Sequence, residues 1–419
     1  MNRDKVNKAI KNILEIIFSK TDFQLGDGLY SFKYTGNIKT EDDRDKIATN
    51  PSLVIYGQQN VKRYEENYKV IYEEICKSYK LSFKTFKDLT QNLIFENKFD
   101  IENILLLVKD KEESKFFSFR KIYGLSCACE ETTLGKYTFV PSSKIEEFIN
   151  KNFNQPAETK YPSIIKRMKN EKQPENGFVY FICPVSAIDA NFAQLQIDIE
   201  ISQIIKLISF ICSKLPDRYY VGDIPPKTYI ENSIVLDKDG YGSMNSSFKR
   251  KDLYIDISDE YFKNSENGFD KLWNIFSKEN TSSFENRIIE SIIWFGNALL
   301  ESDWKKSLVQ ISFAFETLLL INQNEFISKS ITASMAESFA LIVGSSCEER
   351  IQLEKEFKDF YKNRSGIVHG GKIDKECNNL NKYIKMFYQT IEKILVDSRF
   401  KDCFQNDNLY EILQIEKYS

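Results

Sequence analysis

The sequence predicts an α+β protein, with an N-terminal mixed α/β domain followed by a C-terminal all-α helical bundle. Three observations lead there. The chain has 419 residues, more than one hydrophobic core usually supports, so two domains are expected. Up to about Asp237, short apolar runs broken by glycine mix with helical stripes. After Thr281, apolar residues recur at every third or fourth place in five successive segments joined by short connections, the pattern of an antiparallel bundle.

In the first half, a helix is expected over Asp4 to Phe18, and strands over Leu29 to Tyr34 and Ser52 to Tyr56, set off by Gly26, Gly28 and Gly36. Lys62 to Tyr79 reads as a helix. Ile104 to Val108, Phe116 to Tyr123 and Lys136 to Val140 read as strands, and Gly177 to Pro184 as a short buried one. Phe192 to Lys214 has helical periodicity and stops before Pro216. A loop-rich passage with Pro225, Pro226, Gly240 and Gly242 follows, polar over Asp237 to Lys251, with Leu253 to Ile257 as one further strand.

The five bundle segments come next. Phe284 to Glu301 aligns Ile288, Ile292, Phe295 and Leu299 on one face, and Trp304 to Ile321 is apolar nearly all round, which calls for a central position. Phe326 to Val343 ends at Gly344, a residue suited to the C′ position. The fourth segment opens at Ser346 with Glu349 at capping-box spacing, and its stripe is Leu353, Phe357, Phe360 and Arg364. The fifth runs from Asp374 to Val396 with Leu380, Ile384, Phe387, Ile391 and Ile394 aligned. The expected division is therefore 1–236 for the α/β domain, 237–280 for a linker region with a strand, 281–400 for the bundle and 401–419 for a tail.

Composition narrows the function classes. Apolar residues at 42% and charged ones at 28% are ordinary for a folded soluble protein, and 32 Phe and 22 Tyr against 16 Gly and 9 Pro favour regular structure. The net charge of −3 balances 58 basic against 61 acidic residues, so contact with nucleic acid must be local. Lys166, Arg167 and Lys169, or Lys249, Arg250 and Lys251, are basic clusters that read first as solvated faces. The eight cysteines form no Cys-x-x-Cys pair and the chain has one histidine, so no zinc spacing can be assembled. Cys183 and Cys212 lie in apolar runs and read as small core residues, reduced as in a cytoplasmic protein. Met1 to Lys20 is amphipathic and charge-studded, unlike a signal peptide, and no stretch reaches the ~18–20 apolar residues of a membrane span. Val309 to Ile321 is too short and carries Glu316. Neither Gly26-Asp-Gly28 nor Gly240-Tyr-Gly242 completes a phosphate loop, and no Gly-x-Ser-x-Gly elbow is present.

The chemistry concentrates where the fourth segment ends, in Tyr361-Lys-Asn-Arg-Ser-Gly-Ile-Val-His-Gly-Gly-Lys372. A histidine before two glycines at a helix end can serve simply as a cap that complements the helix dipole. The wider pattern points further. The segment resembles the Apea-like branch of the HEPN superfamily, whose signature is Arg-x4–6-His at the end of a bundle helix, here Arg364 and His369. Ile289-Glu-Ser-Ile-Ile-Trp-Phe-Gly-Asn-Ala-Leu is similar to that family's first helix, Phe313-Ala-Phe-Glu-Thr-Leu-Leu-Leu to its second, and Ala336-Glu-Ser-Phe-Ala-Leu-Ile-Val-Gly344 to its third. The likeness covers about the last third of the chain. It departs directly after Arg364, where HEPN nucleases often carry Asn, Asp or His and this chain has Ser365, followed by Gly366.

The resemblance implies a HEPN-type bundle and a metal-independent endoribonuclease without cofactors, of the kind used in bacterial anti-phage or abortive-infection defence. Its products would be a 2′,3′-cyclic phosphate and a 5′-hydroxyl. The substrate would be RNA, with transfer RNA and phage RNA as candidates, and a phage-derived trigger would act on the N-terminal domain. The residue types suit that chemistry. Imidazole, with an unperturbed pKa of ~6.5, exchanges a proton near neutrality, and guanidinium holds two phosphate oxygens in a fork. Glu316 is expected to pair with Arg364 or Arg350, and Asn363 and Ser365 to support the site. Residues 364 and 369 lie about 140° apart on a regular helix, so either the helix loosens at Gly366 or two chains pool their motifs in a homodimer. Two alternatives stand beside this one: a catalytically inactive HEPN protein that binds RNA or a protein partner, and a dimerisation module in which His369 is only a cap.

Overall fold

A computed structural model of the protein describes residues 1–19, 30–32, 53–55, 58–129, 131–152, 166, 178–216, 219–224, 230–236, 242–248, 254–320, 330–370 and 380–418. The chain forms two compact units, Met1–Ser118 with Pro184–Asp198, and Phe119–Cys183 with Ile199–Ser419. These bounds differ from the expected division at 236 and 281. Strands and a helix assigned above to the first half belong to the same unit as the bundle.

The first unit begins with α1 (Arg3–Leu14), β1 (Phe18–Ser19), β2 (Tyr30–Phe32), β3 (Leu53–Ile55) and α2 (Gln58–Ile75). The strands form an antiparallel sheet in the order β1-β3-β2. Val6, Ala9, Ile10 and Ile13 of α1 and Tyr64, Tyr68, Ile71 and Ile75 of α2 recur at helical spacing and share one core. α3 (Phe83–Phe95), which the sequence pattern did not suggest, starts at Ser82, whose side chain accepts from the Thr85 N–H.

α4 (Ile101–Lys109) corrects a strand expected over Ile104 to Val108. The Asp100 carboxylate accepts the Asn103 N–H at 2.9 Å and nucleates a helix. Ile101, Ile104 and Val108 are buried at helical spacing, whereas Leu106, which a strand would turn inward with Ile104 and Val108, is 70% exposed.

β4 (Ser114–Tyr123), β5 (Leu125–Ser126), β6 (Thr132–Leu134), β7 (Tyr137–Pro141), α5 (Ile145–Asn152), β8 (Phe178–Ala187) and α6 (Ala190–Cys212) follow, with a four-stranded sheet in the order β4-β8-β7-β6. Phe178 to Cys183 are all buried, as a short continuous apolar run requires. The described residues of the expected linker, 242–248 and 254–280, include strands and helices. β9 (Ile230–Leu236) and β10 (Gly242–Phe248) pair antiparallel, where a polar loop was expected from 237 to 251. β11 (Ile255–Asp256) pairs in parallel with β5. α7 (Phe269–Ser277) packs Trp273 edge-on against Tyr137 and Phe139, with the indole N–H donating to the Phe262 carbonyl.

The bundle comprises α8 (Ser283–Leu300), α9 (Trp304–Leu319), α10 (Ile331–Val343), α11 (Cys347–Val368) and α12 (Leu380–Val396). The expected openings at Phe326 and Asp374 lie outside the described residues, as do Lys249, Arg250, Lys251, Arg167 and Lys169. A full capping box opens α8 at Ser282 and Glu285. At α11 the Ser346 side chain accepts the Glu349 N–H, and the Glu349 carboxylate takes the Ser345 N–H and hydroxyl. Gly344 does not adopt a left-handed C′ conformation, since its φ is −80°; a Cβ there would lie 2.7 Å from Arg350 Cγ. Close approach, not backbone handedness, explains this glycine.

Residues 401–418, expected as a tail, carry two short helices. α13 (Cys403–Asn406) and α14 (Leu409–Tyr418) bury Cys403, Leu409 and Leu413, and Glu416 takes hydrogen bonds or ion pairs from both Arg350 and Arg399. The C-terminal half of α6 also joins the bundle. Phe210 stacks on Tyr388 at 5.4 Å and meets Phe295 edge-on at 5.7 Å. Gly296 permits the approach, because a Cβ there would fall 2.8 Å from the Lys206 Cα. Among the described residues no helix is long and apolar enough to cross a membrane.

At the centre lies Phe315 of α9, whose ring meets Phe339, Phe357, Phe360 and Phe387 at centroid distances of 6.0, 5.0, 5.5 and 5.2 Å. It is fully buried. Phe315→Ala is expected to cost about 3–5 kcal/mol, read as a lower urea midpoint in the unfolding curve.

Candidate functional site

The candidate site forms where α9 and α11 run side by side. Phe357 and Phe360 of α11 dock on Phe315, and one turn further along α11 stand Tyr361 and Arg364. Facing them from α9 are Ser312 and Glu316, four residues apart and hence on one side of that helix. The arginine Nη2 lies 3.3 Å from Glu316 Oε1, and its Nε donates to Ser312 Oγ at 3.2 Å. Tyr361 donates its hydroxyl to the same Glu316 oxygen at 2.8 Å. The guanidinium carbon is 5.2 Å from the Tyr361 ring centroid and 5.8 Å from that of Phe313.

This arrangement fixes the arginine without exhausting it. A guanidinium carries five N–H donors, of which the Nε hydrogen is engaged by Ser312, while Nη2 stands at ion-pair distance from Glu316. The rest have no hydrogen-bond partner among the described residues. The Arg364 and Glu316 side chains are 17% and 21% exposed, so their attraction is screened less than at an open surface. Glu316 thus pairs with Arg364, whereas Arg350 is taken by Glu416 and the Gly344 carbonyl.

Burial pushes the Tyr361 hydroxyl up to about 12, reinforced by its hydrogen bond to Glu316 and that carboxylate's charge and opposed by the Arg364 charge. Tyr361 therefore remains a donor throughout the neutral range.

His369 follows the last residue of α11 and caps the helix, its backbone N–H donating to the Ser365 carbonyl at 3.0 Å. Its side chain is exposed and makes no hydrogen bond or ion pair among the described residues. Gly370 has φ +68°, a conformation glycine adopts at little cost, which turns the chain away directly after the histidine. Gly371 and Lys372 lie outside the described residues.

The helix does not loosen at Gly366: α11 continues to Val368. Arg364 and His369 therefore stay separated in azimuth by roughly the 140° of a regular helix. Helix geometry alone thus does not aim both residues of one copy at a single point. The two other expected residues divide. Asn363 donates to the Tyr383 hydroxyl of α12 at 2.9 Å, a tie between helices, while Ser365 is half-buried beside the motif and its hydroxyl has no partner among the described residues.

No family model, curated protein or solved structure matches the chain. Two residues of the site, Ser312 and Tyr361, were not singled out in the sequence. The signal was present, since Ser312 stands four residues before Glu316 and Tyr361 three before Arg364, but only a known helix pairing gives those spacings meaning.

Tyr361→Phe is expected to lower stability by about 1 kcal/mol, the usual worth of one hydrogen bond. Because the folded-state value is raised above the ordinary 10.0, this contribution is fully present below about pH 10 and is lost as pH climbs towards the folded value. Urea unfolding of both proteins from neutral to alkaline pH checks it: the gap should stay constant up to about pH 10 and narrow above.

Proposed function

We propose that residues 281–400 form a HEPN-type domain that cleaves RNA without a metal ion, acting in bacterial anti-phage or abortive-infection defence. The observation that carries this reading is the contrast within one helix end. Arg364 is pinned by Glu316 and Ser312 with donors to spare, while the one histidine of the chain stands uncommitted in solvent five residues later. A fixed cation for phosphate and a free proton carrier are the two groups that metal-free RNA cleavage needs.

In this mechanism a neutral imidazole removes the proton of a ribose 2′-hydroxyl. The oxygen attacks the adjacent phosphorus, and the bond to the 5′-oxygen breaks. An imidazolium returns a proton to that leaving oxygen, giving a 2′,3′-cyclic phosphate and a 5′-hydroxyl. The spare Arg364 donors hold the charge that builds on the non-bridging oxygens. Base and acid are two histidines, and the unbroken α11 favours a homodimer in which each copy supplies one. On this reading the first unit receives a phage-derived trigger and the protein works in the cytoplasm.

A second reading, in which the domain binds RNA or a protein without cleaving, draws on the same contacts. The Arg364–Glu316–Tyr361 network also serves as a clasp between α9 and α11, and Ser365 offers no charge beside it. Cleavage of total RNA separates the two. Arg364→Ala and His369→Ala should each reduce it by roughly 10²–10⁴-fold, with cyclic phosphate ends on wild-type fragments and full cleavage in EDTA. Mixing wild type with an excess of His369→Ala should suppress cleavage if the site is composite, because each mixed dimer keeps a single histidine. Intact RNA with wild type, bound but uncut, would establish the second reading.

A further inference from the structure

A surface hollow of about 310 Å³ opens beside Arg364, lined by Trp294 of α8, by Lys305, Lys306, Gln310 and Phe313 of α9, and by Ile367 of α11. We propose that it holds an unstacked base of single-stranded RNA on Trp294, with Lys305 and Lys306 on the flanking phosphates. The inference rests on the RNA reading of the neighbouring arginine and gives it a substrate form.

Four features argue for this occupant. Trp294 is 36% exposed, an unusual place for so large a ring, and is braced edge-on by Phe313 at 5.1 Å. An exposed aromatic held rigid from behind is the platform on which bases stack. Lys305 and Lys306 are both exposed, and neither forms an ion pair among the described residues. The nearby Glu301 carboxylate is occupied by the backbone N–H groups of Ser302 and Asp303. Two exposed cations at the rim of an aromatic pocket complement a polyanion carrying π faces.

Gln310 supplies the third feature. Its Oε1 is buried without a hydrogen-bond partner, a cost that a ligand supplying a donor would relieve. Gln310 lines the hollow, so a rotation of its side chain toward a bound base would let this oxygen accept from an exocyclic amino group. The fourth is placement. Phe313 touches both Trp294 and the Arg364 guanidinium, so a base on Trp294 and a phosphate at Arg364 would be one ring apart. Bases within a duplex remain stacked on each other and do not enter such a site, which selects single strands.

The test uses full-length protein carrying His369→Ala, so that the probe survives, and the anisotropy of a labelled single-stranded oligoribonucleotide of mixed sequence. Adding Trp294→Ala should weaken binding roughly 5- to 150-fold, and Trp294→Phe should recover most of it. Changing Lys305 and Lys306 to Gln should flatten the plot of log affinity against log salt by about 1.4, or ~0.7 per phosphate contact. The same sequence annealed as a duplex should bind more weakly. Unchanged affinity and salt slope in these variants would overturn the proposal. So would a Trp294→Ala protein whose light-scattering mass falls while its RNA affinity holds, since the hollow would then be a contact between copies. Cleavage is scored separately in the His369 parent. Binding through the hollow without cleavage defeats only the ribonuclease reading, and cleavage with a KM indifferent to Trp294→Ala defeats only the hollow.

Discussion

The register between α9 and α11 is the constraint on which the site depends, and Phe315 sets it. A ring wedged among Phe339, Phe357, Phe360 and Phe387 leaves little freedom for either helix to slide. With Phe357 and Phe360 fixed, helical spacing places Tyr361 and Arg364 one turn on from them. The same ring fixes Ser312 and Glu316 on the facing helix. A hydrophobic contact thereby determines an electrostatic one: the ion pair forms where the aromatic packing lets it form.

Order and freedom are divided along α11. Up to Arg364 each turn is held by packing or by polar partners on α9 and α12. Beyond it the helix presents exposed Val368 and His369 and ends on a left-handed glycine. A group that must bind phosphate in one geometry gains from rigidity, and a group that must carry protons gains from access to solvent. The proposed ribonuclease needs both, and the end of one helix supplies them. Beside it, the hollow at Trp294 places aromatic surface and unpaired positive charge together, although the whole chain carries a net charge of only −3. Local pattern outweighs the global balance there.

Much of the fold was legible in the chain. The bundle helices α8, α9 and α11 lie within a few residues of the spans their stripes implied, and β8 is as buried as its apolar run required. The misreadings have physical causes. Ile104 to Val108 is apolar throughout, so periodicity could not tell strand from helix, and the decision lay with the Asp100 cap and the outward Leu106. Residues 403–418 looked like a tail because their short helices bury few side chains, and what holds them is the pairing of Glu416 with two distant arginines. The second half of α6 looked like part of an N-terminal domain because nothing within it announces Gly296, the residue that lets it approach the bundle.

Residue order alone establishes the helical periodicity of the last third, the singular histidine and the spacing from Arg364 to His369. These are local properties, written in consecutive residues. Packing between helices selects Arg364 and not Arg350 as the partner of Glu316, brings Ser312 and Tyr361 into the clasp, and sets Trp294 beside it. The tertiary structure also keeps α11 helical through Gly366, leaving arginine and histidine to face different ways. The reason is that pairing between helices depends on which faces bury against each other, and several carboxylates and arginines are equally plausible partners until an aromatic core has fixed the register.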